Sequence, residues 1–306
     1  MARPKIGIAL GGGAARGWAH IGVLRTLIEA GFEPDIVAGT SIGAVAGACY
    51  VTDRLDALQD FASSLTRRRV FGFLDFNFGG SGLLTGQRLS SRLQDHLQEF
   101  TIEQLERKFV AVATELGTGH EIWLNKGSLV NALKASFALP GIFRPVRING
   151  RWLIDGALVN PIPVSVCRAL GARIVIAVNL NSDVFGKGSV IHDQEAYADP
   201  LASIEDARLP GNNGRAAVHL LHRQIFGRGN GAPGISSVMM DAINITQDRI
   251  ARSRLAGDPP DVTISPKVGG IGLFDFHRAT EAIELGALAA AKQIEELKHV
   301  VRALAA

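Results

Sequence analysis

Cysteine is scarce, with two residues, Cys49 and Cys167, in a chain of 306. Both stand in apolar stretches beside alanine, valine and isoleucine, where a small buried thiol is the expected state. A disulfide scaffold is excluded, and a reducing compartment is indicated. Aromatic residues make up only 6% of the chain. Long apolar runs are missing too. The longest stretch without a charge, Ile36 to Thr52, spans 17 residues, near the lower limit for a membrane helix. Its Gly, Ser, Thr and Ala content argues against insertion, although Gly39, Gly43 and Gly47 keep GxxxG spacing. The apolar run after Arg3 and Lys5 is cut by Gly11, Gly12 and Gly13, too soon for a secretory signal. Nor is there a basic block of the kind that binds nucleic acid. The 32 Lys+Arg and 29 Asp+Glu leave a net charge of +3, and the pI near 9.0 reflects an excess spread over the chain. With 47% hydrophobic and 20% charged residues, neither a disordered chain nor a coiled coil fits.

Glycine, in contrast, is abundant: 35 of 306 residues, against a usual share of about 7%. That excess requires a backbone explanation. Residues 5–10 read as a short buried strand, followed by the glycine turn and a helical pattern (Trp18, Ile21, Val23, Leu24, Leu27, Ile28) ending at Gly31. The unit then repeats, with a strand at 35–38, a tight turn at 39–43 and a helix beginning at 44–51. Further strands are predicted at 109–114, 121–124, 152–154 and 173–180, with helices at 86–99, 128–136 and 163–170. Such alternation predicts an α/β fold with helices on both faces of a mostly parallel sheet. The pattern then degrades. Residues 182–208 carry two cations against six acids, and residues 215–254 six arginines against two acids. Residues 182–260 are therefore read as an insertion or lid-like segment, 261–265 as a return to the sheet, and 277–304 as a closing helix.

Three motifs carry chemistry. Gly39-Thr40-Ser41-Ile42-Gly43 is a G-x-S-x-G between a predicted strand and helix, a nucleophile elbow whose strained turn needs glycine at both ends. Gly11-Gly12-Gly13-Ala14-Ala15-Arg16-Gly17 is a glycine loop. It lacks the Gly-Lys-Ser/Thr of a P-loop, and Arg16 stands where a dinucleotide fingerprint needs its third glycine. The remaining reading is an oxyanion hole built from the amides of Gly12, Gly13 and Ala14, with Arg16 fixing the loop or adding positive potential. Third, Trp152-Leu-Ile-Asp155-Gly156-Ala157 places an acid at the end of an apolar strand, where burial would raise its pKa towards that of a useful base. Among rivals, His20 is read as packed or half exposed on the first helix. His277 follows Asp155 in the order a triad would need. Ser136, at a helix end before Pro140-Gly141, is read as structural. Phe71, Phe73, Phe76 and Phe78 alternate as an extended wall would.

The glycine loop with its continuation Trp-Ala-His-Ile-Gly-Val-Leu, the Gly-Thr-Ser-Ile-Gly elbow and Asp155-Gly-Ala together resemble the patatin-like phospholipases, particularly small bacterial members similar to the catalytic domain of neuropathy target esterase. Ala113-Thr-Glu-Leu-Gly-Thr-Gly119, the stretch from Ala135 to Pro145, and Phe274-Asp-Phe-His-Arg-Ala look like the same family. The resemblance covers roughly 4–181 and 261–290. It implies a three-layer α/β/α fold over a single hydrolase domain, 1–306. It also implies a Ser41–Asp155 dyad with Ser41 as nucleophile and Asp155 as base, and neither metal nor organic cofactor. The expected substrates are phospholipids, lysophospholipids or other fatty acyl esters. The expected location is cytoplasmic, with peripheral contact at the inner membrane surface through 70–84 or 215–254 and no nucleic-acid partner. A non-catalytic regulatory or adaptor protein keeping the fold is the alternative.

Overall fold

Five short apolar segments with both faces buried form the parallel part of one sheet. These are β1 (Ile6–Leu10), β2 (Ile36–Thr40), β3 (Lys108–Glu115), β7 (Ile174–Val178) and β8 (Val262–Ile264). The chain was analysed as a computed structural model, which describes residues 3–73, 87–183 and 235–305. Three further strands, β4 (Glu121–Leu124), β5 (Val146–Ile148) and β6 (Arg151–Asp155), pair antiparallel, and the sheet order is β5-β6-β3-β2-β1-β7-β8 with β4 also on β3. Side chains of successive strand residues point to opposite faces. Accordingly Ile6, Ile8 and Leu10 of β1 belong to one core while Ala9 belongs to another.

The first core is closed by α1 (Ala19–Glu29), α2 (Ile42–Val51), α3 (Leu55–Ser63), α5 (Gln87–Leu97) and α6 (Leu129–Ser136) with the C-terminal helices α9 (Ala279–Ala291) and α10 (Ile294–Ala305). A short helix, α4 (Arg67–Phe73), joins α3 to residues beyond the described ones. The second core lies under α7 (Val164–Ala169) and Ala251 of α8 (Ile235–Gly257). Helices on both faces of a mixed, mostly parallel sheet give the α/β architecture that the alternation predicts. Contacts divide the chain into two units, Met1–Val184 with Gln247–Ala306, and Phe185–Thr246. Of the second, only the first half of α8 is described, so the 182–260 lid reading falls mostly outside the described residues.

Three expectations need correction. Phe71 and Phe73 lie in the helix α4, not in an extended wall, because three arginines and Val70 continue a helical turn started at Thr66; Phe76 and Phe78 lie outside the described residues. The closing helix is interrupted: a 3-10 turn at Phe276–Arg278 precedes α9, and the chain breaks again before α10. Strand β5 was not anticipated at all. It pairs with β6 through a two-residue turn, Asn149-Gly150, both with positive φ (49° and 81°), the signature of a tight hairpin.

Candidate active site

The positions of Ser41 and Asp155 follow from how strands share β3. Ala111 and Val112 pair with β2 and with β4, so those two strands occupy opposite edges of β3. Ala113 and Thr114 pair with β4 and with β6, so β6 lies on the β2 edge. Strand β2 therefore ends at Val112 where β6 ends at Ala113, and the residues at their C-terminal ends meet although 114 positions apart in sequence. Ser41 Oγ donates to Asp155 Oδ2 at 2.7 Å.

Ser41 is the N-cap of α2 with φ 56° and ψ −126°, a conformation that a non-glycine residue adopts only when its surroundings impose it. Those surroundings leave no room. A Cβ on Gly43 would run into the Leu10 carbonyl, and one on Gly39 into the backbone of Ala44. The Ser41 amide donates to Ser136 Oγ at 2.9 Å, and that hydroxyl donates onward to the Val112 carbonyl at 2.6 Å. Ser136, fully buried at the end of α6, thus ties the elbow to β3. Sequence reading assigned it to general structure and missed this link.

Asp155 is 1% exposed. Burial pushes its carboxyl up to about 6, against the lowering effect of hydrogen bonds from Ser41 and from the Ala157 amide, which donates to Oδ1 at 2.8 Å. The Asp155 backbone is fixed as well, its carbonyl accepting from Thr114 Oγ1 and its amide donating to the Ala138 carbonyl.

The glycine loop lies beside the serine: a Cβ built on Gly12 would stand 3.6 Å from Ser41 Cβ. Its amides are not equivalent. Gly11 donates to Val178 O and Gly12 to Pro161 O, so the Gly12 N–H expected in an oxyanion hole is already committed. The amides of Gly13 and Ala14 donate to no backbone acceptor among the described residues. Ala14, with φ 48°, also lines the adjoining cavity. Arg16 is buried, and its guanidinium donates to Ile271 O (2.8 Å) and Asn181 Oδ1 (3.2 Å). It therefore ties the loop to the distant segments 179–183 and 268–273.

The two rival histidines are engaged elsewhere. His20 is fully buried, and burial pushes its pKa down to about 4, so the neutral ring donates through Nε2 to Gly11 O at 2.7 Å. The half-exposed alternative for His20 is thereby corrected. His277 Nε2 accepts from Arg67 Nε at 3.1 Å.

A cavity of about 490 Å³ opens beside Ser41. Trp18, Phe61, Phe137, Phe143, Phe274 and Phe276 contribute aromatic walls, with Trp18 edge-on to both Phe61 and Phe276. Among the described residues no three His, Cys, Asp or Glu side chains gather to hold a metal ion, and no helix is long and apolar enough to cross a membrane. Of the segments expected at a membrane surface, 70–84 is described only through Phe73 and 215–254 only from Ile235.

The patatin-like phospholipase family model matches residues 8–168, more than half of the chain and the span that holds the loop, Ser41 and Asp155. The chain belongs to this family. An uncharacterized NTE family protein of Mycobacterium tuberculosis, Rv1063c, is 32% identical over 95% of this chain and 92% of its own length. A second from that organism, Rv2565, is 30% identical over 99% of this chain and 48% of its own length. The patatin-like phospholipase domain-containing protein ZK370.4 of Caenorhabditis elegans is 37% identical over 58% of this chain and 14% of its own length. The solved structure of VipD from Legionella pneumophila is 13% identical, covering 96% of this chain and 67% of that one with a TM-score of 0.41. In this patatin-like chain the elbow follows the second strand and the acid ends the sixth, and neither of the two later strands among the described residues, β7 and β8, contains a histidine.

Proposed function

We propose that this protein is a serine acyl-ester hydrolase that cleaves fatty acyl esters, with phospholipids and lysophospholipids as the substrate class. The observation that carries the reading is the 2.7 Å hydrogen bond from Ser41 Oγ to a buried carboxylate at the mouth of an apolar cavity. Asp155 takes the Ser41 proton as Oγ attacks the ester carbonyl carbon. The carbonyl π electrons move to oxygen, and the Gly13 and Ala14 amides are the donors for that oxyanion. The tetrahedral intermediate collapses, the alcohol or lysolipid leaves with the proton held on Asp155, and an acyl-enzyme remains. Water, deprotonated by Asp155, then attacks the acyl carbon; the acyl–Oγ bond breaks as Asp155 returns the proton to Ser41 Oγ, and the fatty acid leaves.

A carboxyl near pH 6 is suited to this work, being mostly ionised at neutral pH yet basic enough to accept a proton in the transition state. Removing one oxyanion donor typically costs about 10²- to 10³-fold in rate, so the Gly13 and Ala14 amides each carry a large share of the effect. The test is labelling by a fluorophosphonate with a long alkyl chain, alongside hydrolysis of a lysophospholipid in mixed micelles. Wild type should label and turn over, and Ser41→Ala should do neither. Labelling that survives in Ser41→Ala would remove the nucleophile assignment. A wild type inert to both probes would favour the adaptor alternative.

A further inference from the structure

Ser41, Ile42, Val45 and Cys49 all line the cavity, and their spacing is that of one face of α2, which Ser41 caps. At 1.5 Å per residue, Cys49 lies about 12 Å along the helix axis from Ser41. Beyond it, Arg54 donates its amide to the Cys49 carbonyl at 2.7 Å and also lines the cavity. The cavity therefore follows the full length of α2. Leu58 and Leu65 from the α3 region, with Leu93 and Leu97 one turn apart on α5, add buried apolar lining.

The character changes at the far end. The Arg54 guanidinium is 44% exposed and pairs with Glu99, just past the C-terminus of α5. That pairing brings His96, an exposed cavity residue of the last turn of α5, to the same end. At the other end Ser41, Ile42 and Ala14 are partly exposed. A cavity of about 490 Å³ has room for a fatty acyl chain.

We propose that the cavity is a single-chain channel open at both ends, with the ester carbonyl at Ser41 and a polar exit at Arg54 and His96. This rests on the reading of Ser41 as nucleophile. An all-trans chain advances about 1.2 Å per bond, as an extended peptide does over its three bonds per residue. About ten carbons therefore reach Cys49, and longer chains deliver their far end to the charged rim. The accepted substrates accordingly include long acyl chains with a hydroxyl at the ω position as well as plain ones. Short ω-hydroxy chains are rejected, because their hydroxyl stops in the apolar middle without a partner.

The experiment uses the full chain and two series of 4-nitrophenyl esters in mixed micelles, plain and ω-hydroxylated, from C6 to C16. With plain esters kcat/KM should rise by up to about fourfold per methylene to C10–C12 and then level. An ω-hydroxyl should cost about ten- to hundredfold at C6–C8 and less than twofold at C14–C16. Cys49→Phe, which plugs the channel at its far third, should move the plateau down by about two carbons and keep the hydroxyl penalty at C14–C16. A penalty equal at all lengths in wild type would overturn the open exit without any variant. A plateau unmoved in a folded Cys49→Phe protein would overturn the path along α2. If wild type hydrolyses no ester and takes no fluorophosphonate label, the nucleophile reading fails first and this one with it; label retained beside a flat chain-length series sinks the channel alone.

Discussion

Replacing Asp155 by Asn is expected to abolish turnover while stabilising the protein, by an amount that grows from about pH 4 and is nearly complete above about pH 6. In the folded chain this carboxyl is 1% exposed, and burial pushes it up to about 6 from an ordinary 3.8. The unfolded chain ionises it near the ordinary value. Between the two, the folded state binds more protons, so stability falls as pH rises through that window. A shift of about two units at 1.36 kcal/mol each is a loss of about 3 kcal/mol, complete by pH 8. Asparagine carries no charge at any pH and avoids that loss. Its Oδ1 still accepts from the Ala157 amide, but its NH₂ faces Ser41 Oγ, which must become the acceptor. The net shift already includes the hydrogen bonds to the charged form, so the gain of about 3 kcal/mol corresponds to a Tm rise of roughly 4–6 °C at pH 8. The two proteins should converge near pH 4. His20, neutral and buried with its pKa pushed down to about 4, destabilises both as pH falls from 6.5 towards 4, and so cancels in the difference. Differential scanning fluorimetry of both proteins from pH 4 to 8 reads the effect directly. A Tm difference constant over that range, or Asp155→Asn melting below wild type at pH 8, would refute the burial argument.

Other perturbations separate the parts of the site. The acid limb of kcat/KM should have an apparent pKa of about 6 and should survive His277→Ala, since His277 accepts from Arg67; a limb lost in that variant would mean that a histidine is the base. Ser136→Ala leaves the Ser41 amide and the Val112 carbonyl without their buried partner, so kcat should fall about tenfold with KM unchanged and stability by about 1–3 kcal/mol. Steady-state kinetics with urea unfolding tests this, and a rise in KM alone would argue against a positioning role. Gly43→Ala drives a Cβ into the Leu10 carbonyl and should prevent soluble expression or, at roughly 4 kcal/mol, lower Tm by about 6 °C. Gly31→Ala, at φ 81° with open space around it, should cost only about 1 kcal/mol. Equal melting temperatures for these two variants would count against the elbow packing.

Local signals in the sequence carry most of the fold. The parallel strands are legible because both faces are buried, leaving short continuous apolar runs such as Ile6–Leu10 and Ile174–Val178. The elbow and glycine loop are legible because close backbone approach restricts residue choice to glycine. Strand β5 is instead announced by Asn149-Gly150, a hairpin signal that apolar periodicity over three residues, two half-buried and one exposed, cannot supply. What no local pattern contains is the register in which β2 and β6 abut on one edge of β3. That register decides which acid faces Ser41, and it also brings Ser136 of α6 under the Ser41 amide. The commitment of the Gly12 amide to Pro161 is equally non-local, 149 residues away in the chain.

In the proposed mechanism, burial performs the tuning that a histidine would otherwise bring with its own chemistry. An imidazole titrates near neutrality without help, whereas a carboxylate must be desolvated to reach about 6 and then lowers the stability of the folded chain at the pH where it works. The bonds around Asp155 are consistent with such a compromise. Two donors, the Ser41 hydroxyl and the Ala157 amide, hold the side chain in place, and each lowers its pKa, yet burial outweighs both. A third donor or a nearby cation would return the carboxyl towards 4 and weaken it as a base. Arg16 is the buried cation of the adjacent loop, and its guanidinium is directed to Ile271 and Asn181. Holding that charge away from Asp155 is thus a second consequence of the bonds that fix the glycine loop.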